Sequence, residues 1–254
     1  MKSLFPLLFA TLFYPSFVYA EEPSIKSPGA DMANFPNGSF TLPQGSAYAE
    51  TGGNYNSKST YSSEQYNVSY LLRYGLTDNI ELRLMSDGYT FVNDGNKTKG
   101  ISPQTFDIKW HLIDANENLM LPSIAVEFGT QTTWADDAFK ESTLPFLGLN
   151  FDNSLPYDIA LNYSVGFDSQ LNANGNKEYL LALSWAFQRD VTKDVAVFVN
   201  GYTNTLAGLT TSAIGGGGQW TLTERVAVFS NVAAGLTTNT PDVYGLLGFA
   251  VALF

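Results

Sequence analysis

The sequence predicts an all-β protein: a closed antiparallel transmembrane β-barrel of about twelve strands, joined up and down in chain order as a meander. Three observations predict it. From residue 45 onward, segments about ten residues long alternate bulky apolar with small or polar side chains, which puts the two kinds on opposite faces of a strand. That length suits strands tilted at ~45° through a bilayer, which need ~9–11 residues, whereas strands of soluble domains average nearer ~5–6. Short connectors such as "GLTDN", "DANENL", "NSLPY", "RDVTKD" and "TLTER" alternate with longer ones such as "FVNDGNKTKGISP" and "TTWADDAFKES". Periplasmic turns and outer loops alternate in this way in bacterial outer-membrane barrels. Aromatic residues gather near the strand ends, Tyr74, Tyr157, Phe187 and Trp220 at one and Tyr66, Tyr89, Phe167, Tyr179 and Tyr202 at the other, as two interfacial girdles.

At the start of the chain, Lys2 precedes an apolar run, 4–13, and then Pro15, Ser16 and Val18-Tyr19-Ala20. This reads as a signal peptide, 1–20, cleaved near Ala20; the run is too short to cross ~30 Å of hydrocarbon as a helix. Residues 21–44 carry Pro23, Pro28, Pro36 and Pro43 without periodicity and read as an N-terminal tail or a small plug. The barrel, 45–254, follows. Its candidate strands are 45–56, 65–74, 80–90, 104–113, 121–131, 143–152, 158–168, 178–188, 195–204, 211–222, 226–237 and 243–254, an even count that leaves both ends on the periplasmic side. In "FDIKWHL", Phe106, Ile108, Trp110 and Leu112 oppose Asp107, Lys109 and His111. In "EYLLALSWAFQ", Tyr179, Leu181, Leu183, Trp185 and Phe187 oppose smaller partners, and "IALNYSVGFD" repeats the pattern. "LTDNIEL", "VTKDVAV" and "LTERVAV" share a Thr, charged turn positions and a rising strand, which is recurrent turn chemistry.

A soluble β-sandwich would bury the bulky face and wet the polar one. Strand length, connector lengths and aromatic placement favour the inverse. A Lys or Arg on the lipid face near the midplane costs about 2–4 kcal/mol, so Arg83, Asp107 and Lys109 are expected in the lumen. Closing the sheet satisfies every backbone group in lipid, which fits a secreted chain with no cysteine. A net charge of −11 argues against nucleic acid as a partner. One histidine and no cysteine leave too few ligands for zinc, and the sequence implies no cofactor.

The expected lumen lining is Arg73, Glu81, Arg83, Asp107, Lys109, His111, Glu127, Asp168, Asn200, Gly215, Gly217 and Gln219. From 195 to the end, the only charged residues are Glu224, Arg225 and Asp242, all in connectors. One wall is then charged, while the other is lined by small or uncharged groups along which a weakly polar or aromatic solute slides. The competing expectation is a lumen filled by the ion pairs themselves. His111 beside Asp107 and Lys109 would suit a barrel hydrolase only with a serine in reach, and no specific serine is indicated. The run 215–218 lacks the Lys-Ser or Lys-Thr of a phosphate loop and reads as a strand thinned for a bulky neighbour or a wider lumen.

The stretches "FPNGSFTLPQGSAYAETG" (35–52), "YLLRYGLTDNIELRL" (70–84) and "GISPQTFDIKWHL" (100–112) resemble outer-membrane barrels assigned to the MetA pathway of phenol degradation. The similarity runs from about residue 35 to the end. It implies an outer-membrane transporter of small, aromatic compounds and carries no catalytic motif. "YGLLGFAVALF", ending in Phe254, is similar to an outer-membrane assembly signal, although Ala250 and Ala252 stand where larger side chains are common. The sequence-level conclusion is a monomeric passive channel in the outer membrane. Its expected partners are outer-membrane lipid and lipopolysaccharide, the assembly machinery and a small solute. A lipid-acting barrel enzyme and a non-conducting structural barrel are the alternatives.

Overall fold

The computed structural model describes residues 23–60, 63–95, 97–116, 119–171 and 175–254. The expected signal peptide lies outside the described residues. The strands are β1 (Ala47–Asn56), β2 (Glu64–Thr77), β3 (Ile80–Asn93), β4 (Thr98–Ile101), β5 (Thr105–Ile113), β6 (Ser123–Gln131) and β7 (Leu144–Leu155). They continue as β8 (Ile159–Leu171), β9 (Lys177–Thr192), β10 (Val195–Leu206), β11 (Leu209–Thr223), β12 (Val226–Gly235) and β13 (Val243–Ala252). All pair antiparallel with their neighbours, and β1 closes on β13 with Tyr48 opposite Ala252 and Asn56 opposite Tyr244. This closure joins the first strand to the last, so the strands around the ring satisfy one another's backbone groups without water.

The thirteen strand segments fill twelve positions, because β4 and β5 share one place beside β3. β5 pairs with the stretch 80–85 of β3, and β4 with 89–92. The break between them, Ser102-Pro103-Gln104, lies beside a bulge in which Asp87 and Gly88 stand opposite Ser69. Gly88 has φ +61°, and a Cβ there would lie 2.0 Å from the Val68 carbonyl oxygen, so the bulge requires glycine. The expected segment 104–113 is β5, whereas β4 falls within the stretch read as the connector "FVNDGNKTKGISP"; Pro103 interrupts the ladder between them, so the short β4 stands apart from the alternating run.

The two faces are inverted relative to a soluble sheet. Leu72, Leu82, Trp110, Phe128 and Phe249 point outward and are exposed, whereas Arg73, Glu81, Arg83, Lys109 and Glu127 are buried inside. In the β2–β3 hairpin Arg73 lies opposite Arg83 and Tyr74 opposite Leu82, so each pair shares a face. The last strand turns Leu247, Phe249 and Leu253 outward and buries Leu246, Ala250 and Ala252. Its small inward residues make room, because the Phe229 ring occupies the place of a Cβ on Gly248, with Cε2 2.4 Å away.

The glycine run on β11 marks a bend and does not leave a vacant notch. A Cβ at Gly215 or Gly217 would fall 2.4 Å from the Val232 oxygen or 1.9 Å from the Ser230 oxygen. At Gly216 and Gly218 it would fall 2.9 and 2.8 Å from the Phe198 and Ala196 oxygens. Only glycine lets the backbones approach this closely, which is how sheets are curved. The expected outer connector after β10 is reduced to Ala207 and Gly208, with φ of +51° and +82°, the pairing that joins strands in two-residue hairpins. Tyr202, expected in the outer girdle, shares the inward face with Phe198 and Asn200, and its ring meets that of Phe35 at 5.0 Å.

Candidate functional site

Residues 23–46 precede β1 and fold back into the barrel. The path begins at the turn end, where the Ile25 amide bonds to the Glu224 carbonyl and Lys26 pairs with Glu224 at 2.8 Å and Asp194 at 3.4 Å. It rises past Gln219, whose Oε1 accepts the Ala30 amide, to a short 3-10 turn at Asp31–Ala33. Phe35 forms the apex between Tyr202 and Tyr244. The chain then descends to the β2–β3 turn, where the Gln44 amide meets Asp78 and the Thr41 hydroxyl donates to the Asp78 carbonyl.

A segment with one short 3-10 turn and no strand leaves most backbone donors unpaired, and buried donors must find partners. Here carboxylates of the barrel wall supply them. Glu50 accepts from the Asp31 and Met32 amides at 3.2 and 2.9 Å, and Glu81 from Leu42 at 2.8 Å. Asp152 accepts from the Ser39 amide and hydroxyl at 2.6 and 2.5 Å, and Glu127 takes the Asn37 side-chain amide at 3.0 Å. Gly75 faces the returning chain so closely that a Cβ would lie 2.1 Å from the Pro43 oxygen.

These carboxylates also hold the interior cations. Arg73 forks onto Glu81, with Nε to Oε1 at 2.7 Å and Nη2 to Oε2 at 3.0 Å. Its Nη1 reaches Glu50 and the Gly29 carbonyl, both at 3.1 Å. Arg83 meets Glu127 at 2.7 Å and Asp107 at 3.5 Å, and Lys109 meets Asp31 at 2.5 Å. Asp31, contributed by the segment, thus sits among three cations. Burial pushes its carboxyl upward, but the charges of Arg73, Lys109 and Arg83 outweigh this and hold it below the ordinary carboxylate range.

The other side of the segment is apolar. Ile25, Ala33 and Leu42 pack with Tyr48, Phe198, Phe229, Leu246 and Ala250, so the uncharged wall is covered at that height. Asn200 and Asn231, fully buried, flank the β11 bend; the Asn200 amide and the Asn231 Oδ1 have no partner among the described residues.

Three cavities surround the segment. One of about 510 Å³ opens at the turn end, between residues 26–43 and an arc from Asp152 through Ala160, Asn162 and Gln188 to Thr221. A second, of about 560 Å³, lies beyond the apex and is lined by Phe35, Asn37, Glu127, Ser164, Asp168 and Ser184, among others. A third, of about 680 Å³, lies beside it along β1–β5. Among the described residues, no hydrogen bond, ion pair or ring contact ties the segment to β8 or β9. The small side chains of those two strands line both the first cavity and the second.

The structure therefore gathers Arg73, Glu81, Arg83, Asp107, Lys109 and Glu127 into one network. Asp168 stands apart in the second cavity, Gln219 holds the segment, and Gly215 and Gly217 form the bend beside Asn200. His111 sits near the turn end, with Nδ1 at the Ser39 carbonyl, Nε2 at Asp114 and its ring stacked on Phe40. Among the described residues no serine hydroxyl is bonded to the ring. Glu50 and Asp31 belong to the same network, and Ser39 joins His111 to Asp152 beside it, although the pattern did not single these three out. The readable signal was Glu50 inside a lipid-crossing strand, where the cost that turns Arg83 inward applies to a carboxylate as well.

Solved structures resemble this barrel. An outer membrane channel from Pseudomonas putida F1 aligns with a TM-score of 0.64 at 14% identity, covering 86% of this chain and 99% of the channel. The NanC porin aligns with a TM-score of 0.59 at 8% identity, covering 81% of this chain and 100% of the porin. At these identities the likeness is one of fold. No functionally curated protein matches in sequence. A family model described as "Putative MetA-pathway of phenol degradation" matches residues 30–253, and the chain belongs to that family.

Proposed function

We propose that the protein is a passive channel of the bacterial outer membrane for small solutes, with weakly polar and aromatic compounds among them. One observation carries the reading: cavities on the two sides of the inner segment share the small-residue wall of β8 and β9, the sector to which the segment is not tied. In this reading the described part of residues 21–44, from 23 onward, is a small plug, and the route passes between its apex, 34–38, and Asn162, Ser164, Ala182 and Ser184. Arg73, Glu81, Arg83, Asp107, Lys109, Glu127 and Gln219 hold the plug, whereas Asp168 lines the route. His111 anchors the plug near the periplasmic rim, and Asn200, Gly215 and Gly217 shape the opposite wall.

The similarity to an outer membrane channel and the family's link to phenol degradation support passage and solute class respectively. The barrel works as a monomer in outer-membrane lipid and lipopolysaccharide after delivery by the assembly machinery. Planar-bilayer conductance of the purified barrel, with uptake of phenol-sized solutes into liposomes, tests the reading. Channel steps and solute entry are expected. A correctly folded barrel that gives neither is a structural barrel, and the channel reading then fails.

A further inference from the structure

The charges that face the cavities differ from the charges inside the barrel as a whole. Arg73 and Lys109 line none of the three cavities, being buried against carboxylates. The second cavity is lined by Glu127, Glu141 and Asp168 and, among the described residues, by no Lys or Arg. Glu127 is neutralised by Arg83, and Glu141 accepts from the Gln131 amide. Asp168 has no cation within ion-pair distance among the described residues. The first cavity carries Asp31, Asp152, Asp190 and Asp194 against Lys26 and Lys193; Asp31 is held by the interior cations, Lys26 is turned to Glu224 and Asp194, and Lys193 to Asp194. Asp190 also has no cation within reach among the described residues.

We infer that the route along β8 and β9 is cation-selective, with Asp168 in the outer cavity and Asp190 in the inner one as its selectivity-determining residues. The inference rests on the channel reading and adds to it the charge class of the favoured solute. Between the two carboxylates the wall offers Asn162, Ser164, Ser184 and Gln188, whose carbonyl and hydroxyl oxygens can replace part of a cation's hydration shell. Low-dielectric walls lined by one sign of charge concentrate the opposite ion. A neutral aromatic passes such a route without benefit from the field. A small organic ammonium ion gains from it, and an aromatic carboxylate is repelled.

The test is the reversal potential of single barrels in a KCl gradient at low ionic strength. A K⁺ over Cl⁻ permeability ratio of about 3 or more is expected, because unpaired carboxylates in a narrow aqueous route act over roughly a Debye length. Asp168→Asn should lower the ratio about twofold, and Asp168→Lys should bring it to about 1 or below. Asp190→Asn supplies an independent variant should Asp168 variants assemble poorly, with heat-modifiable migration as the control for folding. A conducting wild-type barrel with a ratio at or below 1 overturns the inference and leaves the channel reading intact. So does an unchanged ratio in well-folded Asp168→Lys and Asp190→Asn barrels. Absence of any conductance overturns the channel reading itself, and the selectivity with it.

Discussion

Replacing Arg73 with Met should release the inner segment while leaving the barrel closed. The side chain is wholly buried, and the substitution keeps its stem but removes two bonds to Glu81, one to Glu50 and one to the Gly29 carbonyl. Glu81 and Glu50 are then buried without their main counter-charge, and removing one partner of a buried pair costs about 3–5 kcal/mol. That cost falls on docking. The same two carboxylates accept the Leu42, Asp31 and Met32 amides, and they regain water only when the segment withdraws. The twelve-position ladder has no such escape and makes none of the lost bonds. At ~1.4 kcal/mol per tenfold, the docking equilibrium shifts roughly 10²- to 10⁴-fold. Limited proteolysis of the folded barrel in detergent should cut within 23–46 far faster than in wild type, with raised single-channel conductance and unchanged heat-modifiable migration. Arg73→Lys should fall between, since it keeps the charge and loses the fork. Equal cleavage and conductance in Arg73→Met and wild type would refute the reasoning, as would loss of the barrel while the segment stays protected.

Other substitutions test other links in the argument. Gly217→Val should lower the yield of heat-modifiable barrel, because its Cβ would stand 1.9 Å from the Ser230 oxygen and overpacking of this kind costs about 1–3 kcal/mol. Leu183→Arg, on the lipid face near the middle of β9, should destabilise the barrel by about 2–4 kcal/mol in denaturant titration from lipid vesicles. Asp31 has a folded-state pKa below its unfolded value, so its contribution is present above the unfolded value and is lost as pH falls through the folded one. The conductance difference between wild type and Asp31→Asn should therefore hold from neutral pH to about pH 4 and shrink only below it. Asp31→Asn should raise conductance already at neutral pH.

Most of the barrel was legible because its physics is periodic. Tyr179, Leu181 and Leu183 alternate with smaller partners because lipid and water select opposite side chains at every second position. The charged wall was legible on the same ground: Arg83 and Lys109 had nowhere else to go. The short strand β4 was not, because its four residues pair with the far end of β3 beyond the Gly88 bulge, and alternation is a local signal that cannot mark so short a run. Tyr202 was misplaced because a tyrosine near a strand end suits a girdle and an inner aromatic contact equally, and only the position of Phe35 decides. The path of 23–46 was hidden for a deeper reason. Its conformation is set by acceptors on strands as far as 189 residues away, as Ala30 and Gln219 show, and four prolines among non-periodic neighbours record none of this.

The same long reach bears on how the barrel is assembled. The segment's seat is contributed by Glu50 and Arg73 at the start of the sheet, by Glu127 and Asp152 in its middle, and by Gln219, Phe229 and Leu246 near its end. No partial sheet offers more than a fraction of that seat, and the pairing of β13 with β1 brings the two ends of it together. The N-terminal residues are made first and settle last. Their docking marks completion, because a chain whose last strand has not joined the first leaves Ile25, Ala33 and Leu42 without the seat that buries them.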